Sequence, residues 1–132
     1  MEWVSIRKRI PRHCSIRNRF NSISFINEVH KDFEIIYDDD GSGEIADVIG
    51  INNGDKTIDI HLFHLKYAKN GRTSNDISNF YEVCGQAQKS LNWKSRDGKD
   101  FFNRLFRRVT KSKNDVTCSR IIKGNEEDLE LF

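Results

Sequence analysis

The sequence is poor in several features, and each scarcity excludes a class of protein. Its 132 residues include one proline and three cysteines, Cys14, Cys84 and Cys118, which form no C-x-x-C pair. Such an odd and widely spaced set is not typical of a disulfide framework, so we expect reduced thiols and a cytoplasmic protein. No apolar run approaches the roughly 18 residues of a membrane helix, and residues 1–14 contain no apolar stretch typical of a signal peptide. We therefore expect neither membrane insertion nor secretion.

The chain has enough apolar residues to build a core. Hydrophobic residues make up 36% of it and nine are Phe, so we expect an ordered protein although 32% of the residues are charged. The length is typical of one domain. We assign residues 1–14 to a basic N-terminal extension, residues 15–123 to the core and residues 124–132 to an acidic tail.

Charges of one sign are segregated along the chain. Residues 1–19 hold six Lys or Arg and one acid, residues 20–55 hold nine acids and one Lys, and residues 89–113 hold nine Lys or Arg and two Asp. Basic surfaces attract a phosphate backbone, whereas clustered carboxylates repel it unless a cation lies between them. The pattern favours an enzyme that brings a polyanion to a metal ion, although solvated charged faces would also produce it.

Periodicity and turn signals give an order of elements. Helical spacing over residues 15–30 is followed by short apolar runs at 33–37, 44–52 and 56–66, which we interpret as strands. Helices are predicted over 76–92 and 99–109, a fourth strand over 117–123 and a short helix from 126. This order predicts an α/β fold, in which a small mixed sheet is flanked by helices.

The helix over 76–92 is expected to bury an apolar stripe and one polar residue within it. The stripe comprises Ile77, Phe80, Tyr81, Cys84, Ala87 and Leu91. At 100° per residue Gln88 lies in the middle of this stripe, so its amide is expected to be buried and hydrogen-bonded. Gln86 points the opposite way and is expected to face solvent. The following helix is expected to direct Arg104, Arg107 and Arg108 outward.

Three ionisable residues interrupt apolar strand faces. Asp47 shares a face with isoleucines of the second strand, and a carboxylate there is costly unless it is compensated. His64 and Lys66 end a row of the third strand that begins with Ile58 and Ile60. The hairpin register decides whether these groups meet. A two-residue turn at Asn53-Gly54 would leave Asp47 and His64 about 13 Å apart, whereas a four-residue loop at 54–57 would place them opposite each other.

These pieces together resemble the PD-(D/E)xK nuclease superfamily. The matching segments are DDGSGEIADVI, HLFHLK and YEVCGQAQKS, and the arrangement is closest to the Mrr-like, restriction-type branch and to nuclease-like domains attached to bacterial helicase-type ATPases of antiviral defence systems. The resemblance implies an αβββαβ core over roughly residues 15–123. It also implies metal-dependent cleavage of DNA, with Mg²⁺ or Mn²⁺ as the cofactor.

The resemblance also implies roles for individual residues. Asp47 matches the metal-binding acid, Lys66 the catalytic lysine, and Gln88, or less well Gln86, a polar residue of the following helix. His64 stands where the family has Asp or Glu and is expected to bind the cation together with Asp47, although a neutral imidazole should lower the affinity for Mg²⁺, and Glu44 or Asp40 could supply the missing carboxylate.

The expected partners follow from the same assignment. Arg104, Arg107 and Arg108, with Arg7, Lys8 and Arg9 of the N-terminal extension, would contact the phosphate backbone without reading sequence. A helicase-type ATPase, as partner or as a fused domain, and a second copy of the chain are further candidates. The alternative function is an inactive nuclease-fold domain that binds nucleic acid or mediates protein assembly.

Overall fold

The computed structural model describes residues 20–66, 77–113 and 116–131 of the chain. Within these ranges it forms four helices and six strands. In chain order they are α1 (Phe20–Val29), β1 (Ile35–Asp38), β2 (Val48–Asn53), β3 (Ile58–Phe63), α2 (Ile77–Lys94), α3 (Gly98–Arg107), β4 (Thr110–Lys113), β5 (Val116–Ser119), β6 (Ile121–Lys123) and α4 (Glu126–Glu130). The α/β class expected from the sequence is confirmed, and no helix of the described ranges is long and apolar enough to cross a membrane.

The main sheet is antiparallel, so the expectation of a mixed sheet is wrong for the described strands. Its order is β3-β2-β1-β6, and every neighbouring pair runs antiparallel. The predicted fourth strand is two strands, because the extended conformation is interrupted at Arg120, between β5 and β6. β4 and β5 form a separate hairpin, and this hairpin returns the chain so that β6 lies antiparallel to β1.

The β2–β3 hairpin adopts the longer of the two registers considered above. Asn53 pairs with Ile58 and Val48 with Phe63, so four residues form the loop. The Gly54 N–H donates to the Thr57 carbonyl at 2.8 Å. A Cβ at Gly54 would lie 2.9 Å from that oxygen, so glycine permits this close turn. In this register the position opposite Asp47, one step beyond the ladder, belongs to His64.

Both faces of the sheet are covered by apolar residues. One cluster includes Tyr37, Ile49, Ile51 and residues of α3 and α4. The second lies on the other face and includes Ile26 of α1 with Ile36 and Val48. The alternation of residues 48–51 between the two clusters confirms the expected strand that is buried on both sides.

The orientation of α2 differs from the sequence prediction. The apolar stripe expected to be buried is exposed along its whole length. The packed side carries Asn79, Val83, Gln86, Ser90 and Trp93 instead. Packing against the edge of the sheet therefore selects a face of α2 that hydrophobic periodicity alone does not identify.

The expectation of reduced thiols holds for Cys84, which is free and exposed. It is wrong for Cys118, which is disulfide-bonded.

Candidate metal centre

Asp47 lies just before the first residue of β2, beside the last residue of β3. Its side chain is only 3% exposed, and its N–H donates to the Phe63 carbonyl at 3.0 Å. Its Oδ2 accepts a hydrogen bond of 2.8 Å from the Leu65 N–H. The first bond ties the Asp47 backbone to the end of β3, and the second fixes this carboxylate beside the residues that follow β3.

Asp47 is one of three carboxylates gathered in a single cluster. One ligand oxygen from each of Asp40, Glu44 and Asp47 lies within 4.8 Å of the others, so this group can hold a metal ion. In a regular strand over residues 44–52, Glu44 would lie on the opposite face from Asp47. The strand instead begins at Val48, and residues 39–47 form a loop in which the Gly41 N–H donates to the Glu44 carboxylate at 2.8 Å. This loop brings Glu44 to the side occupied by Asp47.

Arg104 of α3 and Arg108, the residue that caps the end of α3, hold the loop in place. Asp39 is fully buried, accepts a bond of 2.8 Å from Arg108 Nε through one oxygen and a bond of 2.6 Å from the Ile45 N–H through the other. Arg108 also donates to the Ser42 carbonyl at 2.7 Å, and Arg104 donates to the Gly43 carbonyl. The expected outward direction is therefore wrong for Arg104 and Arg108, because loop carbonyls and Asp39 attract both guanidinium groups.

Gly43 shows how closely these arginines contact the loop. Its φ is +75°, in the left-handed region that favours glycine, and a Cβ there would lie 2.8 Å from a nitrogen of Arg104.

His64 lies between Asp47 and Ser90 of α2. Its Nε2 is 2.7 Å from the Ser90 hydroxyl oxygen, and that hydroxyl also contacts the carbonyls of Ile45 and Gln86. Carbonyl oxygens only accept, so the single hydroxyl proton of Ser90 is directed to a carbonyl and His64 Nε2 donates to Ser90. Asp47 and Ser90, which contact the two ring nitrogens of His64, therefore position the imidazole. Because His64 Nε2 carries a proton, it cannot act as the base that would activate Ser90 as a nucleophile.

This hydrogen-bonding pattern leaves His64 Nδ1 facing the Asp47 carboxylate. The side chain is 7% exposed, and Nδ1 lies 3.6 Å from Asp47 Oδ2. Across the described ranges, Nδ1 is buried and has no hydrogen-bond partner. In a neutral imidazole that donates through Nε2, Nδ1 is a lone pair, so two acceptors face each other. A cation about 2.1 Å from both atoms would fit between them at an angle of roughly 120°.

Lys66 forms an ion pair with Glu82 of α2. It lies two residues beyond His64, at the same end of β3 as Asp47. The structure thus brings the three sequence-predicted groups Asp47, His64 and Lys66 to one rim of the sheet.

The predicted role of Gln88 is not supported by its position. Gln88 is exposed, whereas Gln86, expected to face solvent, is half-buried with its Oε1 lacking a partner among the described residues. The residue of α2 that reaches the site is Ser90. Sequence reasoning missed it, because a serine beside an apolar stripe carries no distinctive signal until α2 is known to pack on its more polar face.

Basic side chains line a separate cavity of about 420 Å³ between α2 and α3. Its walls include Arg96, Arg104 and Arg107 together with one acid, Asp100, and Trp93 lies beneath Arg96. Arg104 joins this cavity to the loop of the acidic cluster, since it also binds the Gly43 carbonyl. The remaining predicted contacts, Arg7, Lys8 and Arg9, lie outside the described residues.

Burial also shifts the pKa of Tyr37, which lies near the loop held by the arginines. Desolvation, with the negative charge of Asp39 as a second cause, raises the pKa of the Tyr37 phenol well above its usual value of 10.0. The phenol therefore keeps its proton and donates to the Leu105 carbonyl of α3 at 2.9 Å.

Comparisons of the chain with protein families, with curated proteins and with solved structures give no match. The function is therefore argued from the geometry of the site.

Proposed function

We propose that this chain is a metal-dependent phosphodiesterase that cleaves DNA, with Mg²⁺ or Mn²⁺ held by Asp47, Asp40, Glu44 and His64. The observation that carries the proposal is the buried lone pair of His64 Nδ1, which faces Asp47 Oδ2 beside two further carboxylates. Asp47 Oδ2 and a lone pair of the imidazole are costly to bury side by side, and a divalent cation removes that cost. The order of one helix, three strands and a further helix is consistent with the PD-(D/E)xK resemblance.

Each described group has a part in the proposed cleavage. A divalent cation, when bound, polarises a phosphate oxygen and lowers the pKa of a coordinated water. The Leu65 N–H and Ser90 hold Asp47 and His64 in the orientation that binding requires. Lys66, released from Glu82 as a phosphate arrives, orients the attacking water or stabilises negative charge that develops on the phosphoryl group.

The charge distribution supports a polyanionic substrate. Arg96, Arg104 and Arg107 converge on one cavity, and guanidinium groups bind phosphate through paired N–H donors. Since Arg104 also contacts the loop between Asp40 and Glu44, a bound backbone could run from this cavity toward the carboxylates. Contacts of this kind position a backbone without reading bases.

One observation favours a second candidate, a domain that binds DNA without cutting it. Lys66 is occupied by Glu82, and a histidine stands where the resemblance expects an acid. In that case the basic cavity would still bind phosphate while hydrolysis would be absent.

A plasmid-cleavage assay tests the proposal. Wild-type protein is incubated with Mg²⁺ or Mn²⁺ beside Asp47→Ala, Lys66→Ala and the control Asp55→Ala, which alters an exposed acid of the β2–β3 loop. We expect cleavage by wild type and Asp55→Ala, and its loss in the other two. Equal cleavage by all four proteins would overturn the assignment of the site. Binding that weakens steeply with salt, without cleavage, would favour the second candidate.

A further inference from the structure

Helix α2 presents an uncharged, mostly apolar stripe to solvent. At 100° per residue its members occupy an arc of about 120°. They are Ile77, Phe80, Tyr81, Cys84, Ala87, Gln88 and Leu91, all of them exposed. The four largest apolar side chains of the set, Ile77, Phe80, Tyr81 and Leu91, are between 62% and 70% exposed. Contiguous apolar surface of this kind marks an interaction site in a soluble domain.

We propose that this stripe is a homodimer interface, in which α2 pairs antiparallel with α2 of a second copy around a two-fold axis at Cys84. The proposal is independent of the metal chemistry above. It rests on the self-complementarity of the stripe, which is centred on Cys84. Ile77 and Leu91 lie seven residues before and after Cys84, or about 10 Å in either direction.

Under such an axis, each edge of the stripe is complementary to the same edge of the second copy. A two-fold axis that relates antiparallel helices places each edge against the same edge of the second copy, with the chain direction reversed. Phe80 and Ala87 share one edge and lie at similar heights on opposite sides of Cys84, so Phe80 of one copy meets Ala87 of the other. On the second edge Tyr81 meets Gln88, which offers an amide to the phenol hydroxyl.

A parallel pairing lacks this fit. Each edge would then face the opposite edge at the same height, so the Phe80 and Tyr81 rings would crowd each other while Ala87 would meet Gln88 and leave a gap. The antiparallel pairing alternates large and small side chains, as packed helix interfaces do.

A neighbouring cavity provides room for the bulky side chains. It measures about 650 Å³, and its walls include Ala87 and Leu91 of α2 with Ile60 and Leu62 of β3. Phe80 of the second copy, placed against Ala87, would lie at the mouth of this cavity. The exposed stripe alone provides roughly 500 Å² of apolar surface per chain, so the pairing would bury about 1,000 Å² in total, the lower bound of a specific interface.

The first experiment measures the particle mass against concentration by sedimentation equilibrium. Phe80→Glu is compared with Leu131→Asp, a matched change at an exposed apolar residue of the described chain outside α2. We expect a wild-type dimer, a dissociation constant raised at least about 30-fold by Phe80→Glu, and no change for the control. A wild-type monomer at the highest soluble concentration would overturn the proposal and leave the stripe to a segment of the same chain or to a different protein.

The second experiment tests the register. Phe80→Ala and Ala87→Phe should each weaken the dimer roughly tenfold, and the double variant, which exchanges large and small, should recover most of the loss. Circular dichroism checks that every variant folds. If the double variant is no tighter than the weaker single variant, the antiparallel register is wrong.

The third experiment uses the free thiol of Cys84. A short bismaleimide should link two copies through Cys84, and Cys84→Ser should abolish that link. Cross-linking that persists in Cys84→Ser would place the contact elsewhere and contradict an axis at this residue.

Discussion

His64 Nδ1 and Asp47 Oδ2 lie 3.6 Å apart at the rim of the sheet, where both side chains are almost fully buried. His64 Nε2 donates a hydrogen bond to Ser90, so in the neutral imidazole Nδ1 is an acceptor like Asp47 Oδ2, and within the described chain Nδ1 has no hydrogen-bond partner. This relationship places an imidazole nitrogen beside Asp47, one of three carboxylates that could hold a metal ion. The predictions below follow from it and from the loop that supports it.

The first prediction concerns metal preference. Imidazole is a better ligand for Mn²⁺ than for Mg²⁺, so wild-type protein should bind Mn²⁺ more tightly. His64→Ala should reduce this preference, and Asp47→Ala should abolish binding of both ions, as measured by isothermal titration calorimetry. Equal affinity for the two ions in wild type would show that Nδ1 is not a ligand.

The second prediction concerns Ser90 as a positioning residue. Ser90→Ala removes the acceptor of His64 Nε2 and should cost about 1–3 kcal/mol of unfolding free energy. It should also weaken Mn²⁺ binding about 10–100-fold, although Ser90 is not a ligand. Ser95→Ala, at an exposed serine near the end of α2, should change neither quantity. Unchanged Mn²⁺ affinity in Ser90→Ala would reduce its role to packing.

The third prediction concerns the arginine that holds the acidic loop. Arg108→Ala leaves the buried Asp39 carboxylate without its charged partner and should lower the unfolding free energy by about 3–5 kcal/mol. Arg107→Ala, at an exposed neighbour on α3, should stay within about 0.5 kcal/mol of wild type. Urea denaturation measures both variants, and similar stabilities would show that the Asp39 contact is not needed to hold the loop.

The fourth prediction concerns pH. The folded state raises the pKa of Tyr37, so its contribution to stability is complete below pH 10.0, the value for an unperturbed phenol, and is lost as the pH rises above it. Tyr37→Phe should cost about 1 kcal/mol at neutral pH through the lost bond to the Leu105 carbonyl. The variant should lose less stability than wild type in thermal denaturation between pH 9 and 11. Parallel losses in both proteins would assign the alkaline transition to other groups.

Much of the fold was predictable because local patterns report local structure. The period of two over β2 and the helical period over α2 identified the elements, and the residues of β2 divide between the two faces as expected. The nine acids of residues 20–55, beside two basic blocks, likewise favoured a metal site.

Other features depend on contacts between distant residues. Asn53-Gly54 fits a short turn locally, yet the pairing of Val48 with Phe63 requires four loop residues. Likewise, Arg108 is one of several basic residues of α3 by sequence, and only packing against Asp39 distinguishes it from Arg107.

By itself, the sequence determined the order of the first helix, the three strands and the two helices that follow, and the chemical types at the rim, because these depend on spacing along the chain. Only the tertiary structure decided which face of α2 packs, which helix residue supports His64, and how Glu44 approaches Asp47. Those outcomes depend on how separate elements satisfy each other's buried polar groups, and spacing along one element contains no information about that.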